Sequence, residues 1–253
     1  MRYIAISIVL AFLATVVFVS CSSSRKSGID PEENFVLSTL PDSTGRPVEI
    51  TFRKGPSFNY PLLAIWVEDM DSNYIATLYI AESIGKGTFQ RAQASQGKWQ
   101  PGEARRPAAL PYWAHKRGVQ EADGLYLPTP ENPVPDAITG PTPTGNFTLK
   151  SFIPDRNDDQ IRILLEINQS WDWNEFWTNN KYLNDKEYMS SSQPAVVYEA
   201  IIDPAYMQDE YIMKPIGHSH YSGKDGKLYR DLETLTSALE ISAVIKIRFP
   251  EEQ

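Results

Sequence analysis

The sequence predicts an all-β fold, namely an antiparallel immunoglobulin-like β-sandwich with one long irregular loop insertion. Short segments in which apolar and polar residues alternate recur along the chain, a pattern typical of half-buried strands. Turn-forming residues separate these segments, and no long helical segments alternate with them, which favours antiparallel sheets. Hydrophobic residues make up 42 % of the chain, so a substantial core can form.

The first predicted strands lie between residues 48 and 80. Residues 48–53 alternate between apolar and polar side chains, and residues 62–67 are continuously apolar. A polar turn at residues 71–73 leads into a second apolar run at residues 74–80. We expect these two runs to form a β-hairpin, with residues 62–67 as a central strand that is covered on both faces.

Residues 84–146 are rich in Gly, Pro, Gln and Ser and form the predicted insertion, with one short helix near residues 107–115. A stretch of this length with little regular structure is uncommon in a compact domain and is often functional. Strands are predicted again in the C-terminal half, at residues 146–152, 161–167, 196–202, 211–216 and 241–249. In the last strand Ala243 is expected to face the core with its apolar neighbours, and Asp231 is expected to cap a short helix before it.

The N-terminus predicts export and lipidation. Arg2 precedes an apolar run at residues 4–19, which is short for a membrane span and typical of a signal peptide. Cys21 is the single cysteine of the chain and follows the small residue Ser20, as the lipid-accepting cysteine of a bacterial lipoprotein does. We therefore predict a signal peptide at 1–20, a lipidated tether at 21–47 and a β-sandwich domain at 48–253.

Charge and cysteine content exclude two classes of function. The formal net charge of −8 argues against nucleic acid as a partner, because phosphate binding requires clustered Lys and Arg. Lipidation of Cys21 would leave no free thiol for catalysis, metal binding or disulfides. The expected partners are a membrane, contacted through the lipid anchor, and an envelope protein, at the periplasm-facing side of a bacterial membrane.

The three histidines of the chain form one candidate site. His218 and His220 are two residues apart at the end of a predicted strand, so their side chains share a face. With His115 as a third ligand they could hold a divalent metal and support a metal-dependent hydrolase. The alternative is a polar hairpin end with unliganded histidines.

An aromatic cluster forms a second candidate site. Trp171, Trp173 and Trp177 alternate with Asp, Asn and Glu residues. Such a surface suits a sugar platform, because sugar CH groups stack on rings while polar side chains bind hydroxyls. The same residues could instead pack against one end of the sandwich, and we expect packing to be their main role.

Three motifs carry a resemblance to a known family. They are Leu-Ala-Ile-Trp-Val-Glu-Asp at residues 63–69, Leu-Pro-Tyr-Trp at 110–113 and Asp-Ala-Ile-Thr-Gly at 136–140. From residue 60 to the C-terminus the chain resembles the bacterial predicted periplasmic proteins of domain-of-unknown-function family 2271. Members of that family have no assigned activity, and some are encoded beside the transferase that attaches flavin mononucleotide to threonine in exported electron carriers.

The resemblance implies a flavin-attachment motif in the third segment. Flavin carriers present Asp-x-x-Ser/Thr-Gly-Ala-Thr, in which the final threonine takes the flavin phosphate. This chain matches at Asp136, Thr139, Gly140 and Thr142, but Pro141 replaces the alanine. Proline restricts the residue before it, so we expect Thr142 to remain unmodified and no cofactor to be bound. Flavin mononucleotide at Thr142 is the alternative.

Taken together, these features predict a lipid-anchored, non-catalytic accessory or binding component of an envelope system. The resemblance implies that this system is linked to extracytoplasmic flavin-dependent electron transfer. A carbohydrate-binding module that uses the tryptophan cluster and a hydrolase that uses the three histidines are the alternatives.

Overall fold

The structure is a computed structural model and describes residues 34–40, 45–95, 97–156 and 159–250. The predicted signal peptide and Cys21 lie outside the described residues. Among the described residues, no helix has the length and apolar character needed to cross a bilayer.

The secondary structure is dominated by strands, which hold 39 % of the described residues against 13 % for helices. The strands are β1 (Phe35–Ser38), β2 (Arg46–Lys54), β3 (Leu62–Asp69), β4 (Tyr74–Ala81), β5 (Thr88–Ser95), β6 (Lys98–Glu103), β7 (Thr139–Gly140), β8 (Phe147–Ile153), β9 (Ile161–Asn168), β10 (Val196–Ile202), β11 (Tyr211–Ile212), β12 (Lys214–His218) and β13 (Ser242–Arg248). The α-helices are α1 (Glu82–Gly85), α2 (Pro111–Arg117) and α3 (Lys186–Ser191). Short 3-10 helices lie at Asp136–Ile138, Pro204–Tyr206 and Ser237–Glu240.

The predicted all-β sandwich is confirmed. In the described chain, one sheet has the strand order β1-β8-β2-β13-β11 and the other has the order β12-β10-β9-β3-β4-β7. Most neighbouring strands are antiparallel, and the short strands β1 and β7 pair in parallel with β8 and β4. The inner faces of the two sheets enclose the main hydrophobic core, which includes Ile50, Phe52 and Phe147 from one sheet and Ile65 and Leu165 from the other.

Strand β3 occupies the central position that its continuous apolar sequence predicts. It pairs with β4 on one side and β9 on the other, and every residue from Leu62 to Glu68 is buried. Leu63 and Ile65 contribute to the core between the sheets, whereas Trp66 belongs to a second core on the outer face of the six-stranded sheet. A strand that is buried on both faces lacks the alternating polar residues of a half-exposed strand, and this explains the continuous apolar sequence of β3.

The insertion at residues 84–146 is more regular than the sequence predicts. It contains the β5–β6 hairpin, α2 and β7, and its residues Leu110, Trp113 and Leu127 pack over the outer face of the six-stranded sheet. The segment therefore adds a third layer, because Trp66 and Leu164 on that face would otherwise be exposed to water.

Two boundaries differ from the sequence prediction. Strand β1 lies within residues 21–47, which were assigned to the tether, and its pairing with β8 makes it part of the five-stranded sheet. Residues 211–216 form two short strands in different sheets, because β11 pairs with β13 whereas β12 pairs with β10. Pro215 lies opposite Tyr198 and has no backbone N–H group to donate to the neighbouring strand.

Two local predictions near the C-terminus are wrong. Asp231 does not begin a helix; its carboxylate accepts a hydrogen bond from the Glu233 amide (2.9 Å) within a turn. Ala243 is exposed rather than buried, because a register irregularity between Ser242 and Val244 interrupts the regular alternation of β13.

Candidate functional site

Glu166 joins the insertion to the six-stranded sheet. Its side chain is fully buried on the outer face of β9 and accepts hydrogen bonds from the backbone amides of Tyr112 (3.1 Å) and Trp113 (2.8 Å). These amides belong to the first turn of α2, where N–H groups have no partner within the helix. Burial, opposed by these two hydrogen bonds, raises the pKa of Glu166 to about 8.

Glu68 is a second buried carboxylate on the same face. It accepts a hydrogen bond from the Trp66 indole (2.8 Å) and lies 3.2 Å from the Arg162 guanidinium and 3.6 Å from the Lys116 ammonium. Burial raises the pKa of Glu68, and the indole and the two cations oppose this effect. Its polar partners are thus supplied by the protein itself.

Two of the motifs that carry the family resemblance meet on this face. The Trp66 ring contacts the Tyr112 ring edge-to-face, with centroids 5.9 Å apart, and the Trp113 indole donates to the Thr77 hydroxyl (2.9 Å). Residues 63–69 and 110–113 are therefore in direct contact, and their aromatic side chains attach the third layer to the sheet.

The residues of the flavin-attachment motif lie at the edge of the same sheet. Asp136 has an 85 % exposed side chain and forms an ion pair with Lys86 (3.0 Å). Thr139 and Gly140 pair with the end of β4, and Thr142 is half-buried. A Cβ atom at Gly140 would lie 2.7 Å from the Tyr79 ring, which gives this glycine a packing role independent of flavin.

The three histidines form different hydrogen bonds, although His218 and His220 both contact the Tyr229 ring. His218 is buried, bonds through Nδ1 to the Ser219 carbonyl (2.7 Å) and stacks on Tyr229. The Nδ1 atom of His220 accepts a hydrogen bond from the Ser222 amide (3.1 Å), and His115 bonds to the Pro111 carbonyl (2.8 Å). Burial lowers the pKa of both His218 and His220.

The structure also bears on the proposed metal site. Across residues 34–40, 45–95, 97–156 and 159–250, no group of three or more His, Cys, Asp or Glu side chains is arranged to hold a metal ion. His115, His218 and His220 therefore do not come together as a ligand set in the described chain.

The three tryptophans of the aromatic cluster differ in exposure. Trp177 is buried, Trp173 is half-buried against the main core, and Trp171 is exposed. Trp173 and Trp177 both contact the Tyr188 ring, with centroids 5.6 and 6.2 Å away, and the Trp177 indole donates to the Thr234 hydroxyl (3.2 Å). The three rings therefore do not share one exposed surface.

A groove beside this cluster is the candidate site that sequence reasoning missed. It has a volume of about 670 Å³ and runs past Tyr182, Tyr221, Lys181 and Lys224. Tyr182 and Tyr221 stack with their centroids 4.2 Å apart and their planes 4° from parallel. The two residues lie on different loops, so nothing in the local sequence indicates that they meet.

The Lys224 side of the groove is fixed by a glycine. Gly223 has a φ of +72°, and a Cβ atom there would lie 2.0 Å from the Pro107 carbonyl oxygen. The left-handed conformation and the close approach both require glycine. The loop that carries Tyr221 and Lys224 is thereby held against the start of the third layer.

Comparisons of this chain with models of protein families, with curated proteins and with solved structures give no match. The resemblance to family 2271 remains an expectation from the motifs.

Proposed function

We propose that this protein is a lipid-anchored, non-catalytic binding component of a bacterial envelope. Cys21 would carry the lipid, and the β-sandwich would present its aromatic groove to a ligand or partner in the periplasm. The system that the family resemblance implies is extracytoplasmic flavin-dependent electron transfer.

The observation that carries the binding role is the groove beside Tyr182 and Tyr221. Ligand sites combine apolar or aromatic surface with a few polar groups that orient the ligand, and Lys181, Lys224 and Asp185 supply such groups here. The buried carboxylates fit the non-catalytic part of the proposal, since Glu166 binds the α2 amides and Glu68 binds the Trp66 indole and pairs with Arg162 and Lys116.

The motif at residues 136–142 supports a role for this protein as an accessory to flavin carriers, and not as a flavin carrier itself. The Tyr79 hydroxyl donates to the Pro141 carbonyl (2.5 Å), and Thr139 and Gly140 are paired with β4. A transferase that needs this segment as an extended, accessible loop would have to detach it from the sheet.

The anchoring part is tested by detergent phase partition of the exported chain. The parent should enter the detergent phase, because several acyl chains give stable membrane attachment, and Cys21→Ala should stay in the aqueous phase. Ser22→Ala is the matched control and should partition like the parent. Membrane association of a signal-cleaved Cys21→Ala protein would contradict the proposal.

The binding part is tested separately with envelope fragments from which lipid has been extracted. The purified chain should sediment with these fragments saturably, and the heat-unfolded chain should not. Equal sedimentation of both forms, or none by the folded chain, would contradict a binding role.

A further inference from the structure

The aromatic wall of the groove consists of three stacked rings. Tyr221 lies between Tyr182 and His220, with centroid distances of 4.2 and 4.4 Å. Tyr188 stands perpendicular to both tyrosines, at 4.9 and 5.6 Å. These distances place Tyr188 beside the tyrosine pair, so Tyr182 ends the stack with one face that is covered by neither ring.

One ammonium group, which also lies over the Phe176 ring (3.1 Å), is near this terminal ring, and other lysines line the groove. The Lys181 ammonium lies 5.9 Å from the Tyr182 centroid and donates to the Phe176 carbonyl (3.0 Å). Lys224 is 68 % exposed and lies 3.5 Å from the Asp185 carboxylate. Lys186 also lines the groove, so three lysines face two carboxylates (Asp185 and Glu187) on a chain whose overall charge is −8.

Lys224 also lines a second cavity, of about 250 Å³, beneath α2. Gln120, His115 and Tyr126 are on the wall of that cavity, and the His115 and Tyr126 rings lie 4.3 Å apart. Lys224 lines both cavities, so an elongated ligand that occupied both would contact this residue.

We propose that this groove binds an acidic oligosaccharide, with a sugar ring against the free face of Tyr182 and a carboxylate at Lys224. The inference rests on the proposed binding function and assigns the ligand class of the same site. Sugar CH groups stack on aromatic faces, the amides of Asn184 and Gln120 suit hydroxyl groups, and the local excess of lysine selects a negative charge.

The test is isothermal titration of the detergent-purified full chain with tetragalacturonate, and with maltotetraose as the neutral counterpart. Tetragalacturonate should bind at least about tenfold more tightly than maltotetraose, since hydrogen bonds to charged groups contribute more than neutral ones. Its affinity should fall as salt is added, because exposed charges are screened. Equal binding of both tetramers, or no binding of tetragalacturonate, would overturn the assignment.

Charge variants locate the site. Lys224→Gln should weaken tetragalacturonate binding about tenfold, for the loss of one charge-assisted contact. Lys150→Gln is the matched control: Lys150 is 56 % exposed and paired with Glu49 on β2, and its replacement should leave binding unchanged. Equal weakening by both variants would indicate general charge attraction and overturn the groove assignment.

Ring variants test the stacking contact. Tyr182→Phe should retain most of the affinity, whereas Tyr182→Leu should lose about tenfold because stacking on the ring is gone. Melting temperatures of both variants report whether they are folded. Inorganic phosphate is titrated in a separate experiment. If phosphate binds as tightly as tetragalacturonate, the groove is a simple anion site and the assignment to an acidic sugar is overturned.

Failure of this inference differs from failure of the proposed function. A chain that partitions into detergent and sediments with envelope fragments, but binds no tetragalacturonate, contradicts the acidic-sugar ligand alone. If the full chain binds tetragalacturonate but the Cys21→Ala variant still associates with membranes, only the anchoring is contradicted.

Discussion

Glu166→Gln tests whether a buried carboxyl group controls the stability of the third layer. Glu166 is fully buried, and its pKa is raised from 4.5 to about 8. A carboxyl group whose pKa is higher in the folded than in the unfolded state stabilises the fold most at low pH. That contribution is lost as the pH rises from the unfolded-state pKa through the folded-state pKa.

The size of the effect follows from these two pKa values. Each pH unit between 4.5 and 8 costs about 1.4 kcal/mol of unfolding free energy from this group. From pH 6 to pH 9 the parent protein should therefore lose about 3 kcal/mol through Glu166. Glutamine has no such titration, but its single carbonyl cannot accept from both the Tyr112 and the Trp113 amides, which costs about 1–3 kcal/mol at every pH.

The assay is urea unfolding at pH 6, 7.5 and 9, followed by tryptophan fluorescence. The stability of the parent relative to Glu166→Gln should fall by about 3 kcal/mol between pH 6 and pH 9. Subtracting the two curves removes the contribution of every other titrating group that the proteins share. Glu49→Gln, which changes a carboxylate paired with Lys150 on the outer side of β2, should run parallel to the parent.

A constant difference between parent and Glu166→Gln from pH 6 to pH 9 would refute this reasoning. It would mean that Glu166 is ionised in the folded protein and that the two α2 amides compensate fully for its burial. An alternative readout is hydrogen exchange of the Trp113 amide, which should accelerate in Glu166→Gln because its acceptor is weakened.

Further predictions concern the candidate residues from the sequence. Trp177→Ala should lower the unfolding free energy by about 3–5 kcal/mol, whereas Trp171→Ala should change it little because Trp171 is 65 % exposed; equal thermal shifts would contradict the packing role. Protein purified without chelator should contain well under one equivalent of zinc by elemental analysis, and stoichiometric zinc lost in a His218→Ala/His220→Ala variant would contradict this expectation. Co-expression with a flavin transferase should leave the protein colourless, and a yellow parent that loses its colour on Thr142→Ala would show the opposite.

The strand pattern was predictable because it is local. Alternation in β2, the continuous apolar run of β3 and the hairpin to β4 each depend on residues close in sequence, and the structure has all three. The prediction that Ala243 faces the core was wrong, because a register irregularity in β13 interrupts the alternation of inward and outward side chains. No residue type within that strand indicates this irregularity.

The candidate groove could not be predicted, because it depends on contacts between distant segments. Tyr182 and Tyr221 stack across two loops, and the position of Lys224 depends on Gly223 packing against the Pro107 carbonyl. The sequence drew attention to the neighbouring tryptophans, yet burial against Tyr188 decides that Trp177 is internal.

By itself, the sequence determined the all-β class and the central position of β3, since these depend on composition and short-range pattern. Export and lipidation at Cys21 stay predictions from the N-terminal pattern. Only the tertiary structure decided that Glu166 is buried. The alternation of apolar and polar residues in β9 places Glu166 on the face opposite the main core, where a polar residue would be expected to meet solvent. Helix α2, whose amides precede Glu166 by more than fifty residues, covers that face and removes the carboxyl group from water. Burial of this kind is a property of the packed chain, because water is excluded only when both surfaces are in place.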